Sequence, residues 1–304
     1  MNPKQLICRL VLAIALSAIM AGTALASTII VDKYGSGAYT TIQAGINAAA
    51  NGDTVLVLPG TYPEAIVIGK NITLLGRNVE PPFISSPVSS SSSAVALVAG
   101  ASFAQIVGFR ISSPNGAGIS CVAAGSFFID NCIIKTCAGD GIYVNNSNAL
   151  VYASNNVICA NSLSGISVPY GSYWLYSNIV AWNSKWGLYD QYSSGLGTNE
   201  YNCFFGNSPN FGNYAAKGPG DIEQDPQFVD PMTDYHLKPG SPCIDKGRPG
   251  ESYYDCDGTR NDMGIYGGPN AYCGPGPVVT DLQIVPPTVV KGETFKIQAT
   301  GATR

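Results

Sequence analysis

Six side chains in the middle of the chain are of the types that recognise sugars. Asp140, Tyr143 and Asn145 are followed, 46 residues on and in the same order, by Trp186, Tyr189 and Gln191. Aromatic rings offer apolar faces to a sugar ring, and amides and carboxylates hydrogen-bond its hydroxyls. The tyrosines also suit an exposed strand for its own sake, because aromatic residues favour a pleated, half-buried surface. Both readings stay open in the sequence.

A second constellation is Asp255-Cys-Asp257-Gly-Thr-Arg-Asn261. Alternating oxygen ligands around a glycine resemble part of a calcium loop. The terminal Glu of a full loop is absent, and an ordinary Asp/Asn/Gly turn accounts for the same residues. Asp255, Asp257 and Asn261 are thus candidate calcium ligands, and no cofactor is required. Catalysis finds no clear set. Asp130, Asp140, Asp190, Glu200, Lys135, Lys185 and Arg110 scatter through the region, whereas hydrolysis needs two carboxylates roughly 5–10 Å apart and elimination needs a placed base.

The elements that would position these residues follow from a repeat. Asn131, Asn155, Asn178 and Asn202 precede short apolar strands at spacings of 24, 23 and 24. Gly118, Gly141, Gly165 and Gly187 each precede Ile or Leu at spacings of 23, 24 and 22. Two markers with one period indicate a solenoid. Each repeat holds three apolar pieces too short for a helix, such as Gly141–Val144, Leu150–Ala153 and Asn156–Ile158. Three strands in about 23 residues per turn predict an all-β parallel β-helix, its turns stacked at roughly 4.8 Å. Asn would occupy a bend between the second and third strands, where it tolerates the left-handed conformation, and stacked Asn side chains would bond one another along the axis. On this reading Tyr143, Tyr189, Asn145 and Gln191 point outward from the first strand, and Trp186 and Asp140 lie just before it. Asp190 falls at an inward position and marks fraying of the regular coil.

The start of the repeat region needs a cover. Ile42, Ile46 and Ala49 share one face of a predicted short helix, which would cap the open end. Upstream, Lys4 and Arg9 precede an apolar run, Leu10 to Met20, that is too short to span a bilayer comfortably. Ala24-Leu25-Ala26 is a small-x-small cleavage site. Residues 1–26 therefore read as a signal peptide, and the protein as secreted or held at the cell surface, with no membrane segment after cleavage. The 304 residues carry only 12% charged side chains and a net charge of −4. No basic patch for nucleic acid is visible.

The stretch TTIQAGINAAANGDTVLVLPGTYPEAIVIGKNITLLG (40–76) resembles the opening of the pectin-lyase-like right-handed β-helix superfamily. DPQFVDPMTDYHLKPGSPCIDKG (225–247) and DGTRNDMGIYGGP (257–269) resemble a tail common on its secreted bacterial members. The resemblance implies a right-handed coil with a polysaccharide partner, acidic in many members. The catalytic motifs of pectin methylesterases, polygalacturonases and pectate lyases are missing. The expectation is a monomeric glycan-binding or surface-scaffold protein; a polysaccharide-active enzyme with an unfamiliar site, a lyase ahead of a glycoside hydrolase, is the alternative.

The organisation expected is a signal peptide over 1–26, the coil over 27–212, a loop-rich tail over 213–273, and over 274–304 a linker with the first strands of an immunoglobulin-like sandwich. Cys121, Cys132 and Cys203 read as core thiols, the last two at one repeat position. Cys137 and Cys159 fall in adjacent turns where they could bridge. One pair is expected among Cys243, Cys256 and Cys273, without a choice of which.

Overall fold

A computed structural model of the chain describes residues 26–76, 81–87, 93–192, 197–271, 278–285 and 296–302. The expected signal peptide lies outside these residues except for Ala26, as do Cys273 and 274–277 of the expected linker.

The repeats wind into a parallel β-solenoid of about seven turns, each with three strands. The first strands are Ile66–Ile68, Val95–Leu97, Ile119–Cys121, the start of Ile142–Ser154, the start of Ile166–Tyr176, Leu188–Asp190 and Phe211–Asn213. The second strands begin with Thr28–Val31 and Thr54–Val57. They continue through Thr73–Leu75, Phe103–Val107, Gly125–Asp130 and the later halves of the two long strands to Thr198–Glu200. The third strands form a separate seven-stranded sheet from Thr61–Tyr62 to Cys203–Phe205. Inward residues stack in register, as in Ile119, Ile142, Ile166 and Leu188, and all four are fully buried.

A helix at Ile42–Ala48 lies against the N-terminal strands. Its ends explain its position. The Glu64 carboxylate accepts from the backbone N–H groups of Ile42 (2.9 Å) and Gln43 (3.0 Å). At the other end Lys70 Nζ donates to the carbonyls of Ile46, Asn47 and Ala49. The orphan donors and acceptors of a short helix are thereby satisfied from the next turn. Ile42, Ile46 and Ala49 are buried as the spacing predicts. Gly45 is required by close approach: a Cβ there would sit 2.5 Å from Val31 Cγ2.

The corners refine the predicted asparagine column. Asn131, Asn155, Ser177 and Tyr201 occupy the left-handed position, with φ of 48°, 53°, 56° and 57°. The residues that follow them, Cys132, Asn156, Asn178 and Asn202, form the ladder. Asn178 Oδ1 accepts from Asn156 N and Nδ2, and Asn202 Oδ1 accepts from Asn178 N and Nδ2. The sequence alignment had joined two neighbouring columns, because one turn between ladder residues, Asn156 to Asn178, is 22 residues long. For the same reason Cys132 aligns with Asn202 and not with Cys203.

A second corner repeats the device. Thr136, Ala160, Trp182 and Gly206 are left-handed (φ 53°, 52°, 54° and 65°). Asn161, Asn183 and Asn207 form the ladder beside them. Asp190 takes the predicted inward position, 7% exposed near the end of the coil, and accepts from the Tyr173 hydroxyl.

The tail is a cover and not merely an extension. The outward residues of the third sheet, Ile133, Val157, Ile179 and Cys203, are buried against Phe228, Tyr235, Cys243, Met263 and Ile265. This explains apolar triplets such as Val157-Ile-Cys159 and Ile179-Val-Ala181: a parallel sheet covered on both faces has no polar alternation. Asn131 Nδ2 donates to the Ile265 and Gly267 carbonyls, and Asn155 Nδ2 to Asn261 Oδ1, so the corners anchor the cover. Cys137 and Cys159 are both free; one packs inside the coil and the other outside it. Cys256 is disulfide-bonded, whereas Cys243 is a free thiol. Val278–Val285 and Lys296–Ala302 pair antiparallel.

Candidate functional site

The residues singled out in the sequence are only partly brought together. Trp186 stacks on Tyr189 with ring centres 4.4 Å apart, and Trp186 packs over Gly212 of the next turn, where a Cβ would meet it at 2.3 Å. Tyr189 donates its hydroxyl proton to Gln191 Oε1. Tyr143 lies two turns away on the same face, with Ser167 between them in register. Asn145 is exposed and opposite Tyr170, because an irregularity after Tyr143 shifts the register. Asp140 accepts from Ser164 N at 2.8 Å and is a corner residue; burial pushes its carboxyl above the usual range. The first-strand face thus holds a Trp186–Tyr189–Gln191 group in which the Tyr189 hydroxyl and Gln191 Oε1 bond each other.

The candidate calcium ligands point to separate tasks. Asp255 accepts from the backbone N–H groups of Asp262 and Gly268. Asp257 accepts from Thr259 N and Oγ1. Asn261 is buried against Asn155 and Ser177 of the coil. Through these bonds the loop organises the cover. Among the described residues no three His, Cys, Asp or Glu gather in a metal-holding group.

A better-formed site lies on the second-strand face. The parallel register sets Phe128, Tyr152 and Trp174 side by side on three turns. Phe128 and Tyr152 stack at 4.6 Å and 4°, Trp174 meets Tyr152 edge-on at 5.0 Å, and Phe103 adds a fourth ring 4.9 Å from Phe128. Each such pair adds about 1 kcal/mol beyond area burial, so part of this stack is structural. Its end is not consumed: Trp174 is 41% exposed.

Two residues further along the same strands, Asp130, Ser154 and Tyr176 form the next outward column. Here the C-terminal segment closes over the coil. Arg248 N donates to Ser177 Oγ at 2.8 Å, and Arg260 holds the Gly247 carbonyl through Nε and Nη2. The Arg248 guanidinium is thereby sandwiched between the rings of Tyr176 and Tyr253. The two ion pairs among the described residues are Lys217–Glu223 and His236–Asp234, so no described carboxylate pairs with it.

The result is a cleft of about 370 Å³. Aromatic rings wall it, Arg248 offers donors, and Asp130 and Ser154 lie at its floor. Asp130 is 6% exposed and bonded to the Ser154 hydroxyl; burial pushes its carboxyl up to about 6. A mostly apolar concavity with a few directed polar groups is the ordinary form of a small-molecule site. In the sequence Asp130 is one of several scattered charged residues. The signal that could have found the cleft was the 24- and 22-residue spacing of Phe128, Tyr152 and Trp174.

The family model described as "Right handed beta helix region" matches residues 77–220. No curated protein matches the chain.

Proposed function

Because this chain is a right-handed parallel β-helix protein, a fold that leaves function to its sites, we propose that it is an exported, monomeric polysaccharide-binding protein or surface scaffold. Its ligand lies in the cleft between the coil and the C-terminal segment. One observation carries this reading: exposed Trp174 and Arg248, which pairs with no carboxylate among the described residues, line the same cleft. An indole edge and face suit the apolar side of a sugar, and a planar fork of donors suits a carboxylate or sulfate substituent. An acidic polysaccharide satisfies both. The Tyr143/Tyr189 face, the first expectation, ranks second, because Tyr189 already stacks on Trp186 and bonds Gln191, and Tyr143 lies two turns away.

The test is affinity electrophoresis of the purified chain through acidic and neutral polysaccharides, with and without calcium. Retardation by an acidic polysaccharide, lost in Trp174→Ala and Arg248→Ala, supports the reading. Loss in Tyr143→Ala or Tyr189→Ala instead moves the ligand to the first-strand face. No retardation by any polysaccharide rejects glycan binding.

One observation favours a second reading. A buried carboxyl raised to about 6 in the same cleft as an arginine is the kind of group that serves as a general base near neutrality. In a lyase Asp130 would take the proton beside a uronate carboxyl while Arg248 holds that carboxyl. Release of unsaturated, ultraviolet-absorbing sugars, abolished in Asp130→Asn, would replace the binding reading with this one.

A further inference from the structure

We propose that Cys203 and Cys243 are a disulfide pair, closed while the chain folds in an oxidising compartment, that fastens the C-terminal segment to the coil. Cys203 opens the last third strand on its outward side, and Cys243 belongs to the segment that covers it. Both are fully buried in one apolar cluster, where the Cys243 thiol neighbours that of Cys203. Each is also held from its own side. Cys203 Sγ donates to the Gln224 carbonyl, Cys243 N donates to Ser241 Oγ, and Met263 N donates to the Cys243 carbonyl.

The other free thiols are placed differently. Cys132 and Cys137 bond backbone carbonyls inside the coil, Cys121 packs in the core, and Cys159 faces the Tyr235 hydroxyl. A second observation points to oxidation in the same segment: Cys256 is already disulfide-bonded.

The chemistry is thiol–disulfide exchange with a disulfide oxidant, either glutathione disulfide or a dithiol oxidoreductase. One protein thiolate attacks the oxidant's disulfide and expels one oxidant thiolate. The second protein thiolate then displaces the other. The two protein thiols give up two protons and two electrons, and the oxidant leaves as two thiols. Both sulfurs are fully buried once the segment has docked, so an oxidant in solution cannot reach the docked pair. The bond must therefore close before the segment docks, and afterwards it is shielded from reductant. Cys243 lies five residues before Arg248, so the bond fixes the wall that carries Arg248, whether or not the cleft holds a sugar.

The test compares the purified chain refolded in a glutathione redox buffer with the chain refolded in dithiothreitol. Each is then alkylated in denaturant and mapped by peptide mass spectrometry. The expected result is a linked Cys203–Cys243 peptide in the oxidised sample, with Cys121, Cys132, Cys137 and Cys159 alkylated. Adding glutathione disulfide to the protein already folded in the reduced state should leave Cys203 and Cys243 alkylatable. Alkylation of both in the sample refolded under oxidising conditions, or a bond from either to another cysteine, overturns the proposal. As a second measurement, Cys203→Ser and Cys243→Ser should each narrow the Tm difference between oxidised and reduced protein by the same amount. An unchanged difference in both counts against the bond. The mapping uses the natural chain and stands even where a variant fails to fold.

Discussion

The guanidinium carbon of Arg248 lies 3.9 Å from the ring centre of Tyr176 and 4.5 Å from that of Tyr253. This contact joins the coil to the segment that covers it. A cation between two rings keeps its in-plane donors while its faces are desolvated, an arrangement worth about 1–2 kcal/mol. It also aims those donors into the cleft. Lys at this position would keep the charge but lose the stacked fork, so Arg248→Lys should bind acidic polysaccharide almost as poorly as Arg248→Ala, roughly tenfold below the parent if one such contact of about 1.4 kcal/mol is lost. Affinity electrophoresis at fixed ionic strength measures this; equal binding by Arg248→Lys and the parent would show that charge alone matters.

The corner ladder carries stability. The Asn178 side chain accepts from Asn156 N and Nδ2 and donates to Asn202 Oδ1 and the Ala153 carbonyl, all out of water. Asn178→Ala leaves several of these groups unsatisfied and should cost about 3–4 kcal/mol. Exposed Asn145→Ala should stay within about 0.5 kcal/mol. Urea unfolding of the two variants decides it, and similar midpoints would show that the ladder is dispensable.

The pH dependence has a definite sign at Asp130. Its folded carboxyl is raised to about 6, above the unfolded value of about 3.9. The folded state therefore holds the proton more tightly, and stability from this group is present at low pH and lost as pH rises from about 4 to 6. The full excursion is roughly 3 kcal/mol. Asp130→Asn should reduce the overall slope and leave the part that comes from Asp255, the other carboxyl raised to about 6. Thermal melts from acid to neutral pH measure it; identical slopes in parent and variant would contradict the assignment.

Gly247 sits where the cover meets the corner. A Cβ there would come within 2.7 Å of the Asn261 carbonyl oxygen and 2.8 Å of Ser177 Oγ. Gly247→Ala should loosen the docked segment without unwinding the coil. Hydrogen exchange should speed up in residues 241–271 while the ladder amides of Asn156, Asn178 and Asn202 stay protected. Uniform loss of protection would mean that cover and coil unfold as one unit.

Much of this molecule was written in local sequence. The recurring Gly-aliphatic and Asn markers, set by a turn of about 23 residues, determined the coil, its three strands and its inward core. The Ile42, Ile46 and Ala49 spacing determined the face the first helix buries. These follow from local geometry, since a strand alternates and a corner needs a residue that tolerates positive φ. The slip between Asn155 and Asn156 was beyond an alignment by residue type, because both adjacent columns favour Asn for different reasons: one for its backbone, the other for its amide. What covers the third sheet, and so which outer face becomes a cleft, was decided only by tertiary structure. Arg248 meets Tyr176, and Cys243 meets Cys203, across 72 and 40 residues of chain. No periodicity connects those positions; only the burial of an apolar sheet face against a distant segment brings them together.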